Sequence, residues 1–284
     1  MTDFSVRSEL AVAQALGLAR LDAQLLLLHS LDKPDTDRAW LLTHDGDPLP
    51  DETARLFRSL SQRRAAGEPL AYIVGYKEFF GLRFNVNSAV LIPRPDTETL
   101  VQWSLDVLAG LKSPQVLDLG TGSGAVAVSL AHQLKTKVDA SDMSGEALEV
   151  AAENARLLGA SVQFLQSNWF EKVSGHYHLI ASNPPYVADG DPHLAALAYE
   201  PLTALTAGAD GLADIQQIVQ MAPSYLLPGG WLLLEHGYDQ ADEVCSLLLQ
   251  RGFTAVQSRI DLAGIARCSG GQWPGQRCEL EIAG

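Results

Sequence analysis

Asn183-Pro184-Pro185-Tyr186 combines residue types suited to holding a planar NH2 group. It follows the apolar run His178-Leu179-Ile180-Ala181-Ser182, which reads as a buried strand, so the tetrapeptide sits where a strand stops. Two consecutive prolines fix φ, contribute no N–H and keep Asn183 extended. The Asn183 side-chain oxygen and the Pro184 carbonyl then form a pair of acceptors for both hydrogens of a carboxamide or of an exocyclic base amine. Tyr186 can lie flat beside that group, whose lone pair is held toward an electrophile. A strand-ending turn is the plain structural alternative, because Asn and Pro are common turn residues.

Further polar and glycine residues fall at the ends of other expected strands. Gly120-Thr121-Gly122-Ser123-Gly124 lies between an expected strand at 116–119 and an expected helix at 125–134, a place where backbone can approach a nucleotide-like ligand at a helix N-terminus. Its spacing is tighter than the dinucleotide fingerprint and lacks the Gly-Lys-Ser/Thr ending of a P-loop. Asp142 ends the next expected strand, 138–142, where a carboxylate can accept from both ribose hydroxyls. After a strand at 162–165, Asn168 is placed to meet an adenine edge and Trp169 to cover the ring; their structural readings are a polar strand end and a core aromatic. Arg94, framed by Pro93 and Pro95, is either a linker ion pair or a wall of the site.

These residues need a scaffold that brings strand ends to one edge. From Gln115 onward, strand and helix signals alternate, which points to an α/β domain with a parallel sheet covered on both faces. Ligands bind at the carboxyl edge of such sheets. Residues 187–213 read as a loop or lid over that edge, 212–226 as a helix, 231–235 as a strand after the Pro228-Gly229-Gly230 turn, and 240–250 as a helix. Residues 253–260 and 278–282 are expected to close the sheet as an antiparallel pair.

Upstream, helical spacing at 6–16, 21–31 and 54–64 indicates a small helical domain over residues 1–75, with Leu21, Leu25 and Leu28 on one face and Asp22 or Asp51 at a helix start. Residues 76–93 contain an expected β-hairpin that links it to the domain at 94–284. Asp96 and Glu98 suit the start of a helix that continues through Leu108.

The composition narrows the function classes. A formal charge of −14 argues against a chain whose main task is to grip a phosphate backbone. Cys245, Cys268 and Cys278 show no Cys-x-x-Cys spacing and are read as buried thiols. His29, His44, His132, His176, His178, His193 and His236 are read as structural, and no metal site is expected. No apolar run has the length of a membrane span and the N-terminus lacks a secretory pattern, so a cytoplasmic location is expected.

With those residues in place, the chain resembles the Class I S-adenosylmethionine-dependent methyltransferases, and within them the release-factor glutamine methyltransferases. The resemblance runs nearly end to end: Gly67-Glu68-Pro69-Leu70-Ala71-Tyr72-Ile73, the segment from Ile92 to Glu98, Asp118 to Gly124, Asn183 to Tyr186, and Glu200-Pro201. Asn168 stands where many relatives carry Asp. The resemblance implies a Rossmann-like, mostly parallel seven-stranded sheet with a substrate-docking helical domain in front. It implies methylation of the side-chain nitrogen of the glutamine in the Gly-Gly-Gln loop of peptide chain release factors, with S-adenosylmethionine as donor and S-adenosylhomocysteine as product. Gly120, Thr121, Gly122, Ser123, Gly124, Asp142, Asn168, Trp169 and Asn183 would hold the donor. Asn183, Pro184, Pro185, Tyr186 and Arg94 would hold the target, with Asn183, Pro184 and Tyr186 catalytic.

A monomer is expected, with release factors as protein partners and no nucleic acid as direct substrate. The same NH2-gripping device would serve an adenine-N6 methyltransferase acting on flipped bases in DNA or RNA, which is the alternative reading. A non-catalytic donor-binding factor is a second alternative, and a dinucleotide oxidoreductase fits least. The chain's own Gly270-Gly271-Gln272 repeats the substrate tripeptide and is read as a coincidence in a loop before Trp273.

Overall fold

A computed structural model of the chain describes residues 4–275. The chain divides into two compact units, one ending at Tyr76 and the other beginning at Lys77.

The first unit is helical. It contains α1 (Val6–Ala15), α2 (Arg20–Ser30), α3 (Arg38–Thr43), α4 (Asp51–Ala65) and α5 (Leu70–Val74) around a core that includes Val6, Leu26, Leu27 and Phe57. Ser5 starts α1 with a capping box through Ser8. The short helices α3 and α5 were not expected from the spacing, since neither is long enough to display a full apolar stripe. The buried face of α2 also differs from the one expected. Ala23, Leu26, Leu27 and Leu28 point inward whereas Leu21 is exposed. With leucines crowded on several faces, α2 packs among the other helices of the unit on the face that carries Ala23, Leu26 and Leu27. A buried Glu9 is held from both oxygens by Arg58, at 2.6 and 2.7 Å.

The division falls one residue into a hairpin, β1 (Tyr76–Phe79) and β2 (Leu82–Asn85), joined at Phe80-Gly81, the rest of which belongs to the second unit. Then α6 (Glu98–Val107), β3 (Val116–Leu119), α7 (Ala125–Leu134), β4 (Val138–Asp142), α8 (Gly145–Leu157), β5 (Val162–Gln166) and β6 (Tyr177–Ser182) alternate. The chain ends in α9 (Ala213–Met221), β7 (Leu226–Glu235), α10 (Ala241–Arg251), β8 (Thr254–Ile260) and β9 (Ala266–Gln272).

The seven-stranded sheet has the order β5-β4-β3-β6-β7-β9-β8, parallel from β5 to β7, with β9 antiparallel to both its neighbours. Alternate side chains of each central strand enter opposite cores. Val116, Leu179, Ala181 and Leu233 join one cluster with Trp103 and Val128, while Leu117, Ile180, Leu232 and Leu234 join the other with Ile218 and Leu248. Period-two burial on both faces is what a helix-covered parallel sheet requires.

The edge pairing corrects one expectation. The antiparallel partner of β8 is Ala266–Gln272, and residues 278–282 lie outside the described residues, as does Cys278. Gly270-Gly271-Gln272 is therefore strand and not loop. A Cβ on Gly270 would meet Leu233 Cδ2 at 2.4 Å and the Leu232 carbonyl oxygen at 2.7 Å, so only glycine fits this pairing. Likewise Pro228-Gly229-Gly230 lies within β7, where the pairing with β6 shifts register between Tyr177 and Leu179. No helix of the described residues is long and apolar enough to cross a membrane.

Candidate active site

Strand order reverses at β3, which has β4 on one side and β6 on the other, and ligand crevices open at such a point. A cavity of about 500 Å3 lies there, a size suited to a nucleoside-scale ligand. Every expected cofactor or substrate residue lines it except Gly124, Pro184 and Tyr186. Arg94, Gly120, Thr121, Gly122, Ser123, Asp142, Asn168, Trp169, Asn183 and Pro185 are thus brought together from four strand ends and one linker.

The glycine-rich turn is tied down from two sides. The buried Asp118 at the end of β3 accepts the Thr121 hydroxyl at 2.7 Å and the Ala127 N–H at 3.0 Å, both on Oδ2. It caps the first turn of α7 from outside the helix. Burial pushes its carboxyl up to about 7, against the pull of those two hydrogen bonds. Gly124 precedes α7 with φ of 81°, and a Cβ there would meet Ala151 and Val128 at 3.2 Å. It serves the close packing of α7 on α8 behind the cavity.

Asp142 is the second tie. Its Oδ2 accepts the Gly122 N–H at 2.8 Å and its Oδ1 the Ser144 N–H at 2.9 Å. Each oxygen keeps a further lone pair, so the carboxylate can still accept two hydroxyls. Asn154, fully buried in α8, adds a strap that sequence spacing did not reveal. It exchanges hydrogen bonds with the Asn85 backbone and donates to the Ser123 carbonyl at 2.9 Å, joining hairpin to glycine turn.

Trp169 has φ of 44°, a strained value for a large side chain, and its indole N–H donates to Asp214 Oδ1 at 3.2 Å. Burial raises the Asp214 carboxyl while this bond lowers it. Exposed Asn168 donates its NH2 to Glu171 Oε1 at 2.9 Å, which leaves the amide oxygen end for another partner. Turn, carboxylate, indole and amide fit an adenosine: backbone at a helix start, acceptors for a ribose diol, a flat apolar face and an acceptor for an exocyclic amine.

Asn183 follows β6 directly and is half-buried in the cavity wall; its Nδ2 donates to Thr97 Oγ1 at 3.2 Å. Among the described residues, no hydrogen bond is made to Asn183 Oδ1 or to the Pro184 carbonyl. Tyr186 stands behind the cavity and does not line it. It packs into the core cluster of α9 and α10, and its hydroxyl donates to Glu235 Oε1 at 3.4 Å. Burial and the Glu235 charge push its phenol up, so it stays protonated. Arg94 is both of its anticipated things: it lines the cavity and ion-pairs with the buried Glu200 of the lid, whose Oε2 also accepts the Ile92 N–H at 3.1 Å. The lid adds Pro201, Thr203 and Ala204 to the walls.

Spacing missed Glu235, which ends β7 at 1% exposure with its carboxyl pushed up to about 7 by burial. It also missed Thr97 and Asp214. A lone acidic residue closing an apolar strand, as in Trp231-Leu232-Leu233-Leu234-Glu235, was the available signal. His178 and His236 are structural: His178 Nδ1 bonds the Gln115 N–H at 3.0 Å, and His236 bonds Ser269 Oγ at 2.7 Å. Among the described residues, no group of three or more His, Cys, Asp or Glu is arranged to hold a metal ion.

Comparison with known proteins places this geometry. A model of the PrmC N-terminal domain matches residues 5–75, and one of the methyltransferase small domain matches residues 97–200. The release factor glutamine methyltransferase of Bordetella pertussis is 50% identical over 260 residues, covering 90% of this chain and 95% of the relative. Its namesake in Burkholderia pseudomallei is 48% identical over 269 residues, covering 91% and 93%. Among solved structures, the hMettl16 catalytic domain superposes with a TM-score of 0.58 at 17% identity, covering 77% of this chain and 83% of that one, and shares the fold. On its identity to relatives across nine-tenths of its length, the chain belongs to the release factor glutamine methyltransferase family.

Proposed function

We propose that the protein transfers the methyl group of S-adenosylmethionine to the side-chain amide nitrogen of the glutamine in the Gly-Gly-Gln loop of peptide chain release factors. S-adenosylmethionine supplies, when bound, an electrophilic methyl group on a sulfonium. The backbone of Gly120 to Ser123, the Asp142 carboxylate, Asn168 and the Trp169 indole are the groups suited to hold its nucleoside, with Gly124 supporting the turn from behind.

The remaining work falls to the end of β6. A carboxamide nitrogen is a weak nucleophile because its lone pair is delocalised, and its N–H is too weak an acid for a side-chain base to remove first. Asn183 Oδ1, in the cavity wall, accepts one of its hydrogens and the Pro184 carbonyl, set behind the lining between Asn183 and Pro185, the other; together they hold the nitrogen in line and stabilise positive charge as it develops there. The methylated nitrogen, now acidic, releases its proton to water. Pro185 and Arg94 shape the slot, and Tyr186 acts from behind, through Glu235.

The observation that carries this reading is the seat of Asn183, in the wall of the cavity with one N–H donated to Thr97 and its oxygen without a hydrogen bond among the described residues. An adenine amine would satisfy the same pair of acceptors. The relatives are named for glutamine, and the charge of −14 disfavours a nucleic-acid substrate. Incubation with isotope-labelled S-adenosylmethionine and a release factor, followed by mass spectrometry of the product, tests the proposal. Label on the Gly-Gly-Gln glutamine supports it, whereas label confined to other residues or to nucleic acid contradicts it.

A further inference from the structure

The two ends of the Asn183 amide are chemically opposite, and only one suits the role proposed above. An oxygen facing the cavity accepts from a substrate NH2, whereas a nitrogen there sets hydrogens against hydrogens. The nitrogen end is engaged elsewhere, donating to Thr97 Oγ1 at 3.2 Å. Thr97 is buried at the start of α6 and has one hydroxyl proton, which must go to some other acceptor if that bond is to form.

Such an acceptor adjoins it. The Thr97 hydroxyl favours the charged form of the Glu235 carboxylate, and no hydrogen bond joins the two among the described residues. Glu235 is 1% exposed; its Oε1 takes the Tyr186 hydroxyl, and its Oε2 is buried without a hydrogen bond among the described residues. Glu235 therefore has acceptor capacity to spare for a hydroxyl that needs to donate. Three elements that are distant in sequence, the ends of β6 and β7 and the start of α6, bring Asn183, Thr97, Glu235 and Tyr186 together.

We infer that Thr97 and Glu235 are positioning residues that set which end of the Asn183 amide faces the cavity. The inference rests on the acceptor role of Asn183 proposed above. An ionised Glu235 can only accept, so it fixes the Thr97 proton away from Asn183 and leaves the Thr97 lone pair to the Asn183 NH2. A neutral acid or an amide at 235 can donate instead. Thr97 then turns its proton toward Asn183 and favours the reversed amide, with NH2 in the cavity. The charged and titratable groups that face Glu235 are Asp96 beside Thr97, Tyr186 beyond β6, and Arg267 and Cys268 on β9. Burial and Asp96 favour its neutral form, while Thr97, Arg267 and Tyr186 favour the charged one.

The test uses the full chain with S-adenosylmethionine and a release factor. Glu235→Gln preserves shape but can donate, Thr97→Val removes the acceptor, and Thr97→Ser preserves it. Turnover is expected to fall about 100-fold in the first two, with the dissociation constant of S-adenosylmethionine changed less than about threefold, and to recover to within about tenfold of wild type in Thr97→Ser. In protein carrying isotope-labelled asparagine, the Asn183 side-chain amide resonance, assigned by its loss in Asn183→Ala, should shift in Thr97→Val and Glu235→Gln before substrate is added. In the wild type the same resonance should move as Glu235 titrates, a readout that needs neither Thr97→Val nor Glu235→Gln to fold. Asn183→Ala separates the two claims. If that variant is inactive while Thr97→Val and Glu235→Gln turn over like wild type, or if the wild-type resonance ignores pH, the positioning role is overturned. If Asn183→Ala is itself active, the acceptor reading fails and the positioning role fails with it.

Discussion

Asp142 Oδ2 accepts the Gly122 N–H at 2.8 Å, so the carboxylate at the end of β4 and the glycine turn after β3 are one unit. The residue proposed to hold a ribose also holds the backbone proposed to meet the rest of the nucleoside.

Asp142→Ala should therefore cost more than two ligand hydrogen bonds. Loss of charge-assisted bonds at about 1.5–3 kcal/mol each predicts at least about a hundredfold rise in the dissociation constant of S-adenosylmethionine, measured by calorimetry. Asp142→Asn, which retains an oxygen for either Gly122 or Ser144, should fall between. Equal affinities in all three proteins would contradict the assignment.

Arg94 and Glu200 link the segment after the hairpin to the lid. Glu200 is buried and also accepts the Ile92 N–H, so Arg94→Ala leaves a buried carboxylate with only one partner. Because Arg94 is partly exposed, a loss of about 2 kcal/mol is expected, with a fall in melting temperature of about 4–8 °C and a raised KM for the release factor. Arg94→Ala combined with Glu200→Gln should recover part of the stability but not the KM. Additive losses in the double variant would show that the pair is not coupled.

Asp118 and Glu235 predict how stability follows pH. Both carboxyls are raised to about 7 by burial. The folded chain keeps protons that the unfolded chain has released, so their contribution is complete below pH about 4 and is lost as pH rises through about 7. Carboxylates held low by partners, such as Asp106 by Arg259 and Asp261 by its backbone donors, act below that window, where acid removes their stabilisation. The melting temperature of the free protein should decline between pH about 5 and 8, and Asp118→Asn should flatten the decline. An unchanged slope in that variant would contradict the burial argument.

Gly270-Gly271-Gln272 should not be a substrate of the enzyme itself. Gln272 pairs with Trp231 across the sheet and its NH2 donates to the Gly229 carbonyl at 2.9 Å. Mass spectrometry of protein incubated with donor alone should show Gln272 unmodified. Gly270→Ala should lower stability by about 1–3 kcal/mol, or prevent folding, because its methyl group overlaps Leu233 and the Leu232 carbonyl. A fully stable Gly270→Ala would show that the strand can shift.

Much of this site could be read from local order along the chain. Val116–Leu119, the glycine turn and the helix after it are consecutive, Asp142 ends β4 and Asn183 follows β6, so the shared edge follows from parallel alternation. What escaped depends on pairings that local order does not encode. Ala266–Gln272 carries few apolar residues and two glycines, a poor strand by propensity, yet β7 and β8 crowd it so closely that glycine is required. Tyr186 was expected as a wall of the slot, but its ring is drawn into the core near α9 and its hydroxyl to Glu235, a carboxylate contributed by another strand. The inward face of α2 was misread because five leucines spread over several faces define no single stripe.

The central claim is that Asn183 holds the amide that is methylated. Its most direct measurement is the turnover of Asn183→Ala on a release factor, alongside its dissociation constant for S-adenosylmethionine. A loss of about a thousandfold in kcat with donor affinity nearly retained is the predicted result. Turnover at the wild-type rate, or a kcat loss matched by loss of donor binding, would contradict it.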